Sequence, residues 1–370
     1  MESGSHTSGN GSAGGLSEGG WTTNCSVSEL AAVLRGSPRV LVFTHMKPDG
    51  DAAGSAIGLV NALNGLPGHR AEAVFGGPRP AWLAWVAESN GGTPVRLWEK
   101  GGPGGGAPEW EPDAIVVVDT GSWSQLGLFE AYLRPRAERT MVIDHHRRGD
   151  TDVGARRWVD SGAAAACQLV AGLACLLLRV TPEGLPVEVA RPLYLGLATD
   201  TGWFRHTNVD AGLLRLASEL VEAGANPNAL YQRVEQQDTV GRIKLMARAL
   251  ESLRLYDTVL GSESIAVMQL TRRDFDETGA KASDTGGLID VAQMIGSVRV
   301  SALLNEADGA DFGKPGKVMT KISLRSKTDE VDVDRVCRGF GGGGHTRAAG
   351  AKLEAEIGEA VRAVVSALGG

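Results

Sequence analysis

The sequence predicts an α/β protein: a parallel, doubly wound sheet in an N-terminal lobe, then a smaller α/β C-terminal lobe joined to it by a helical linker. Three observations carry this. Short continuous apolar runs such as "RVLVF", "AIVVV" and "TMVI" are the pattern of strands buried on both faces. They alternate with helical stretches, the order of a parallel sheet covered on both sides. Near residue 258 the pattern resets to a new set of strands and helices.

Residues 1–24 are rich in Gly and Ser and are expected to be a disordered extension. "VSELAAVLRGS" reads as a short helix, "RVLVFTH" as a buried strand, and "AAGSAIGLVNALNGL" as a helix ended by glycine. "RAEAVFGG" is a second strand, and "PAWLAWVAESNGG" is apolar and turn-rich. "KGGPGGGAPEWEP" is an insertion whose Gly/Pro core spans 101–108. "DAIVVVDTG" and "RTMVIDHH" are strands, and "AAAACQLVAGLACLLLRV" is a long apolar helix. "VARPLYLGLATDTG" begins as helix and ends at an acid. The charged, periodic segment 216–250 is expected to link a domain over 25–215 to one over 251–370. In the latter, "SIAVMQLT", "VRVSALLNEAD" and "KVMTKISLRSK" read as strands, and a final helix follows "GFGGGGHTRAAGAKL". No repeat of fixed period is visible.

At 370 residues the chain can hold two cores. Its formal net charge of −7 and lack of long basic runs argue against a protein that grips long duplex nucleic acid across its surface. A small anion held by local arginines remains compatible. The four cysteines, Cys25, Cys167, Cys175 and Cys337, form no C-x-x-C pair and no disulfide framework. The first residues lack a charged head and an apolar core, so no signal peptide is expected, and no apolar run is long enough for a membrane span. A soluble cytoplasmic protein is the expectation.

The acids and imidazoles fall at the ends of the predicted strands. "THMKPDGDAAGS" supplies His45, Asp49 and Asp51, "VVVDTG" supplies Asp119, "VIDHH" supplies Asp144, His145 and His146, and "LATDTG" supplies Asp200. Open parallel sheets bind ligands outside the carboxyl ends of their strands, so these four segments should meet in one crevice. Of the seven histidines, His45, His145, His146 and His206 lie in or beside these segments and His345 lies in a glycine loop; His6 and His69 lie outside every motif. Any one of these aspartates reads as well as a helix N-cap following a strand. The set does not, because several carboxylates in one crevice cannot all ionise without a cation. Mixed carboxylate and imidazole donors suit Mn²⁺, with Mg²⁺, Co²⁺ and Zn²⁺ as alternatives. Two such ions need a bridging carboxylate, and Asp119, alone on its strand, is the natural one.

"HMKPDGDAAGSAIGL", "VVVDTG", "VIDHH" and "LATDTGWF" resemble, in order, the four motifs of the DHH phosphoesterase superfamily, and "KISLRSK" with "GGGGHTRAAG" resembles its DHH-associated C-terminal domain. The branch it resembles is that of the bifunctional oligoribonucleases that are also 3′-phosphoadenosine 5′-phosphate (pAp) phosphatases. The resemblance implies that His45 and Asp49 hold one metal, that Asp119 bridges, and that Asp51, His145 and Asp200 complete the second site. It implies that His146 faces the scissile phosphate and that Asp144 orients an imidazole. A hydroxide bridging the two ions would attack phosphorus in line with the leaving oxygen. It further implies that Arg325, Gly342, Gly343, Gly344, His345 and, less directly, Arg347 clamp the far phosphate or terminal nucleotide. Taken alone, the glycine run reads equally as a flexible turn, and Arg205 and His206 read equally as surface residues.

The implied function is hydrolysis of short oligoribonucleotides to mononucleotides and of pAp to AMP. A phosphodiesterase for cyclic dinucleotides such as c-di-AMP, or for their linear products, is the alternative on the same scaffold. A nucleotide-sensing module without activity is the non-enzyme alternative; every expected ligand position nevertheless carries a competent residue. A homodimer is compatible with the family.

Overall fold

The computed structural model describes residues 20–88, 92–99, 106–259 and 261–369. The expected extension lies outside the described residues over 1–19, and the expected insertion over 101–105. The chain forms two compact units that meet in sequence between Gln236 and Gln237, inside the stretch expected to link them.

The first unit runs α1 (Val27–Arg35), β1 (Arg39–Phe43), α2 (Gly50–Asn64), β2 (Arg70–Gly76), α3 (Trp82–Glu88), β3 (Val95–Trp98), β4 (Ala114–Val118), α4 (Trp123–Leu126), α5 (Glu130–Leu133), β5 (Thr140–Asp144), β6 (Arg156–Val159), α6 (Ala166–Leu178), α7 (Val187–Asp200), α8 (Ala211–Glu222) and α9 (Pro227–Val234). Its six strands are all parallel, in the order β3-β2-β1-β4-β5-β6. Alternate residues of each strand face opposite layers, as a pleated strand requires. Val40, Val42, Val116, Val118, Met141 and Ile143 pack with α1, α2, α6 and α7. Leu41, Phe43, Ile115, Val117 and Val142 pack with the aromatic layer of Trp98, Trp123 and Phe129. The strand order reverses between β1 and β4, the place where such sheets open a crevice.

One packing detail sets the site. Helix α2 is buried almost all round, and its Gly50, Gly54 and Gly58 recur every four residues on one face. A Cβ at any of them would collide with α7, at Thr199, the Pro192 carbonyl and Leu193 respectively. The missing side chains let α7 lie close along α2, which delivers the C-terminus of α7 to the N-terminus of α2.

The second unit runs α10 (Val240–Glu251), β7 (Arg254–Thr258), β8 (Gly261–Leu270), α11 (Arg272–Thr278), α12 (Leu288–Ala292), β9 (Val300–Asp308), β10 (Val318–Ser326), α13 (Val333–Gly339), β11 (Gly343–His345), β12 (Ala348–Leu353) and α14 (Ile357–Ala367). Its sheet, β11-β12-β10-β9-β8-β7, is antiparallel except for β8 with β9. Helices α13 and α14 cover one face and α10, α11 and α12 the other. Within 216–250, α8 and α9 bury Ala217, Leu220 and Leu230 in the first core, whereas α10 buries Leu245 and Ala249 in the second. Among the described residues no helix is long and apolar enough to cross a membrane.

The extension differs from expectation at its end. Trp21 is buried, at 3% exposed, while Thr22, Thr23 and Asn24 are exposed. Thr23 and Asn24 run along the free edge of β6, where Asn24 N–H donates to the Arg157 carbonyl and the Val159 N–H donates to Thr23 Oγ1. Burial of the indole and pairing of an open strand edge hold these residues against the loss of chain entropy.

Candidate functional site

The predicted residues converge at the carboxyl edge of the first sheet. His45 follows β1 and Asp119 follows β4, so these two flank the point where the strand order reverses. Asp144 is the last residue of β5, and His145 and His146 come next. Asp200 departs from the expectation that every cluster ends a strand, since it is the last residue of α7. The run "LYLGLA" is apolar because α7 is buried between α2 and its neighbours, and a buried helix carries no period that separates it from a buried strand.

Two of the aspartates also act as helix caps. Asp49 is the N-cap of α2, accepting from the backbone N–H groups of Asp51 and Ala52. Asp51 caps a different helix. The N-cap position of α6 is Ala165, which has no side-chain oxygen, and Asp51 supplies one from α2, accepting from Ala166 N–H at 2.6 Å and Cys167 N–H at 2.8 Å. These caps fix each carboxylate while its remaining lone pairs face the cluster.

His45 Nε2 lies 3.5 Å from Asp119 Oδ2 and 3.8 Å from Asp49 Oδ1. His145 Nε2 lies 3.4 Å from Asp119 Oδ1, 3.7 Å from Asp51 Oδ2 and 3.8 Å from Asp200 Oδ2. These separations suit two donors around one cation about 2.1 Å from each, rather than good hydrogen bonds. Donor atoms of His45, Asp49 and Asp119 form one group that could hold a metal ion, and those of Asp51, His145 and Asp200 form another. Asp119 presents one oxygen to each histidine. It is 3% exposed, and its Oδ1 has no hydrogen-bond partner among the described residues. Its φ of 60° is left-handed, a conformation Asp tolerates better than most residues. A buried, orphaned carboxylate oxygen between two imidazoles fits a cation ligand.

The other ring nitrogens are fixed. His145 Nδ1 lies 3.3 Å from the Ala163 carbonyl, so it carries the proton and leaves Nε2 for the cluster. His146 Nδ1 lies 2.7 Å from Asp144 Oδ1, which also accepts from the His145 and His146 backbone N–H groups. Asp144 is fully buried and sets the His146 ring, whose Nε2 has no hydrogen bond among the described residues.

Charge balance follows from the geometry. Burial pushes the His45 imidazole down, but the carboxylates of Asp119 and Asp49 outweigh it and raise it to about 10. Burial likewise opposes His145, which Asp119, Asp51 and Asp200 raise to about 9. Burial and the charges of Asp119 and Asp200 push the Asp51 carboxyl well above its usual range. Without metal, the raised imidazoles stabilise the fold below pH 6.5, and that contribution is lost as pH rises through about 9 and 10. Coordination needs neutral imidazole and ionised carboxylate, so loading at pH 7 should release protons, and apparent metal affinity should rise with pH. Calorimetric titration of Mn²⁺ in buffers of different ionisation enthalpy checks this; a heat independent of the buffer would contradict it.

The clamp residues of the second unit are arranged differently from an open turn. Gly343, Gly344 and His345 form β11, paired with β12. A Cβ at Gly342 or Gly344 would strike the backbone of β12, so those glycines permit close strand approach. The Gly344 N–H donates to Asp334 Oδ1 and the Gly342 N–H to the Cys337 carbonyl. Those two donors are engaged within the protein, contrary to a loop of free N–H groups. Arg325 sits on β10 opposite Ala348, with Nε 3.8 Å from Asp290. Arg347 forms two hydrogen bonds with Asp329. Arg205 and His206 are exposed, Arg205 Nε–H donating to the Gly202 carbonyl and His206 Nδ1 lying 3.3 Å from the Asp200 carbonyl. His69 Nε2 lies 3.1 Å from the Leu34 carbonyl, a link between α1 and β2.

Sequence reasoning missed Trp21. Its indole fills the space left by Gly121, just after Asp119, and Gly149, just after the histidines, and its Nε1–H donates to the His146 carbonyl at 3.2 Å. A lone Trp in a Gly/Ser tail was the only signal.

Known proteins share this architecture. "Bifunctional oligoribonuclease and PAP phosphatase NrnA" of Thermus thermophilus is 28% identical over 335 residues, covering 90% of this chain and 89% of that protein. The protein of the same name from Bacillus subtilis is 23% identical over 330 residues, 88% of this chain and 93% of that one. The crystal structure of an exopolyphosphatase-related protein from Bacteroides fragilis, 22% identical, superposes with a TM-score of 0.76 over 92% of this chain and 95% of its own, which shows the shared fold. The DHH family, N-terminal domain, matches residues 39–197, and the DHHA1 domain matches residues 262–369. The chain thus carries a DHH-family N-terminal domain in its first unit and a DHHA1 domain in its second.

Proposed function

We propose that this protein is a metal-dependent phosphoesterase that hydrolyses short oligoribonucleotides to mononucleotides and pAp to AMP, working in the cytoplasm. The observation that carries the reading is Asp119, a buried carboxylate with one oxygen toward each of two donor groups. Relatives aligned over nearly their whole length carry both activities in their names.

His45, Asp49 and Asp119 would hold one divalent ion, and Asp51, His145, Asp200 and the other oxygen of Asp119 a second; the mixed donors suit Mn²⁺, with Mg²⁺ and Co²⁺ as alternatives. When bound, such ions make water nucleophilic at neutral pH and offset charge on phosphoryl oxygens. The chain's own residues do the rest. The α2 N-cap and the Asp51 bridge to α6 hold the carboxylates in place before substrate arrives. Asp144 raises the His146 imidazole and aims it, so that a proton is available to a non-bridging phosphoryl oxygen. In the second unit, Arg325 and His345 are the residues proposed for the far phosphate or terminal nucleotide; Gly342, Gly343, Gly344 and Arg347 shape and border that hairpin.

A substrate panel with Mn²⁺ tests the reading: pAp, a 5′-phosphorylated RNA dinucleotide, a long single-stranded RNA, a cyclic dinucleotide and pyrophosphate. Turnover of pAp and the dinucleotide with little on the long strand is expected. Preference for the cyclic dinucleotide would favour the alternative activity. No turnover across several metals would leave a nucleotide-sensing module.

A further inference from the structure

The second unit contains a cavity of about 640 Å³ between α11 and the sheet. Asn305 on β9 forms part of its wall. That residue is 6% exposed, and its carboxamide oxygen has no hydrogen-bond partner among the described residues. Leaving such a group unsatisfied is costly, and core positions of this kind usually carry an apolar side chain. The neighbouring strands add a second anomaly. Asn305 lies directly across from Lys321 on β10, which lies directly across from Lys352 on β12. Two lysines opposed in an antiparallel pair repel each other, and neither has a carboxylate partner among the described residues. Lys352 Nζ instead sits 4.1 Å from the centre of the Phe312 ring. Phe275 and Phe312 line the cavity, and Asp276 stands at its wall. The other basic group there, Arg272, is tied to Asp308 at 3.0 Å.

These groups fit one kind of ligand. A carboxamide reads adenine through two hydrogen bonds. Aromatic rings bracket a base face, and a carboxylate accepts from ribose hydroxyls. An unpaired ammonium pair takes a phosphate. The row from Asn305 to Lys352 crosses two strand spacings, about 10 Å, which is the scale of a mononucleotide from base to phosphate. We propose that this cavity is a binding site for an adenine mononucleotide, with the base on Asn305 and the phosphate on Lys321 and Lys352. It is built wholly from the second unit and does not depend on the chemistry proposed for the first.

The test uses the metal-free full chain and titrates 5′-AMP by calorimetry, with GMP as the specificity arm. AMP is expected to bind more tightly than GMP and to weaken as salt rises. Asn305→Leu should weaken AMP by at least about tenfold while leaving the unliganded melting temperature equal or higher, since an orphaned polar group is removed. Lys321→Gln and Lys352→Gln should each weaken it several-fold and flatten the salt dependence; Lys244→Gln, at an exposed lysine of α10 outside the cavity, should leave it unchanged. Absence of AMP binding overturns the proposal, as does binding that the Asn305, Lys321 and Lys352 substitutions leave intact or that Lys244→Gln weakens as much as they do. Should Asn305→Leu fail to fold, the Lys321 and Lys352 variants decide alone. Turnover of pAp by the wild type is scored separately, so a failed phosphoesterase reading leaves the AMP result standing.

Discussion

Asp119→Asn should lower turnover of pAp by at least about 10³-fold and reduce bound Mn²⁺ from two per chain toward one, as expected when a charge aimed at the reacting centre is lost. Asn is the informative replacement. It keeps the side-chain shape and tolerates the left-handed backbone at φ 60°, so a fold defect does not cloud the result. It removes the negative charge that faces both His45 and His145. The same charge holds those imidazoles up, so in the metal-free variant both should titrate closer to the ordinary histidine range, visible by NMR of the ring protons. An Asp119→Asn protein that still bound two ions and kept wild-type turnover would remove the bridge from the mechanism. Loss of activity with unchanged metal content and unchanged histidine titration would assign Asp119 a different role.

How much of this was legible in the sequence depends on what each residue is for. Asp119, Asp144 and His145 could be placed because strands buried on both faces are unbroken apolar runs, and the first ionisable residue after such a run marks the carboxyl edge of the sheet. The edges were harder. β6, Arg156–Val159, carries two arginines and is half-buried, so it lacks the apolar signature, and β3 is similarly exposed along most of its length. Asp200 ends a helix rather than the expected strand, because a helix buried on all sides loses its period. The contact that brings it there is written in Gly50, Gly54 and Gly58, whose meaning appears only when α7 is seen lying against them. The glycine run before His345 misled in the opposite sense. Its composition fits an open anion loop, yet Gly342 and Gly344 are small because β12 passes close by, and their N–H groups already have partners. Asn305 gave no signal at all, since a single carboxamide in an apolar strand acquires meaning only from what it fails to bond.

Trp21 supplies the second large effect. Its ring occupies the space that Cβ atoms at Gly121 and Gly149 would need, and its Nε1–H donates to the His146 carbonyl. The two loops it joins carry Asp119 on one side and His145 and His146 on the other, and they are also linked by the Asp150 N–H donating to the Gly121 carbonyl. Trp21→Ala should therefore destabilise the fold by about 3–5 kcal/mol, the range for emptying a buried aromatic site. It should also weaken Mn²⁺ binding, because both histidine and aspartate donors lose a shared support. Trp21→Phe keeps most of the packing and loses the indole donor, so it should fall between the two. Gly121→Ala inserts a methyl group where the ring stands, and should cost stability by displacing the ring. Gly121→Ala in the Trp21→Ala background meets no ring and should cost far less than it does alone. Thermal unfolding of the four proteins in this double-mutant cycle gives the coupling directly. Strong non-additivity, seen again in the Mn²⁺ titrations, would establish the indole as the wedge that sets the distance between the metal-binding loops. Additive losses would mean that the ring and the glycine act on stability separately, and that the loops hold their positions without it.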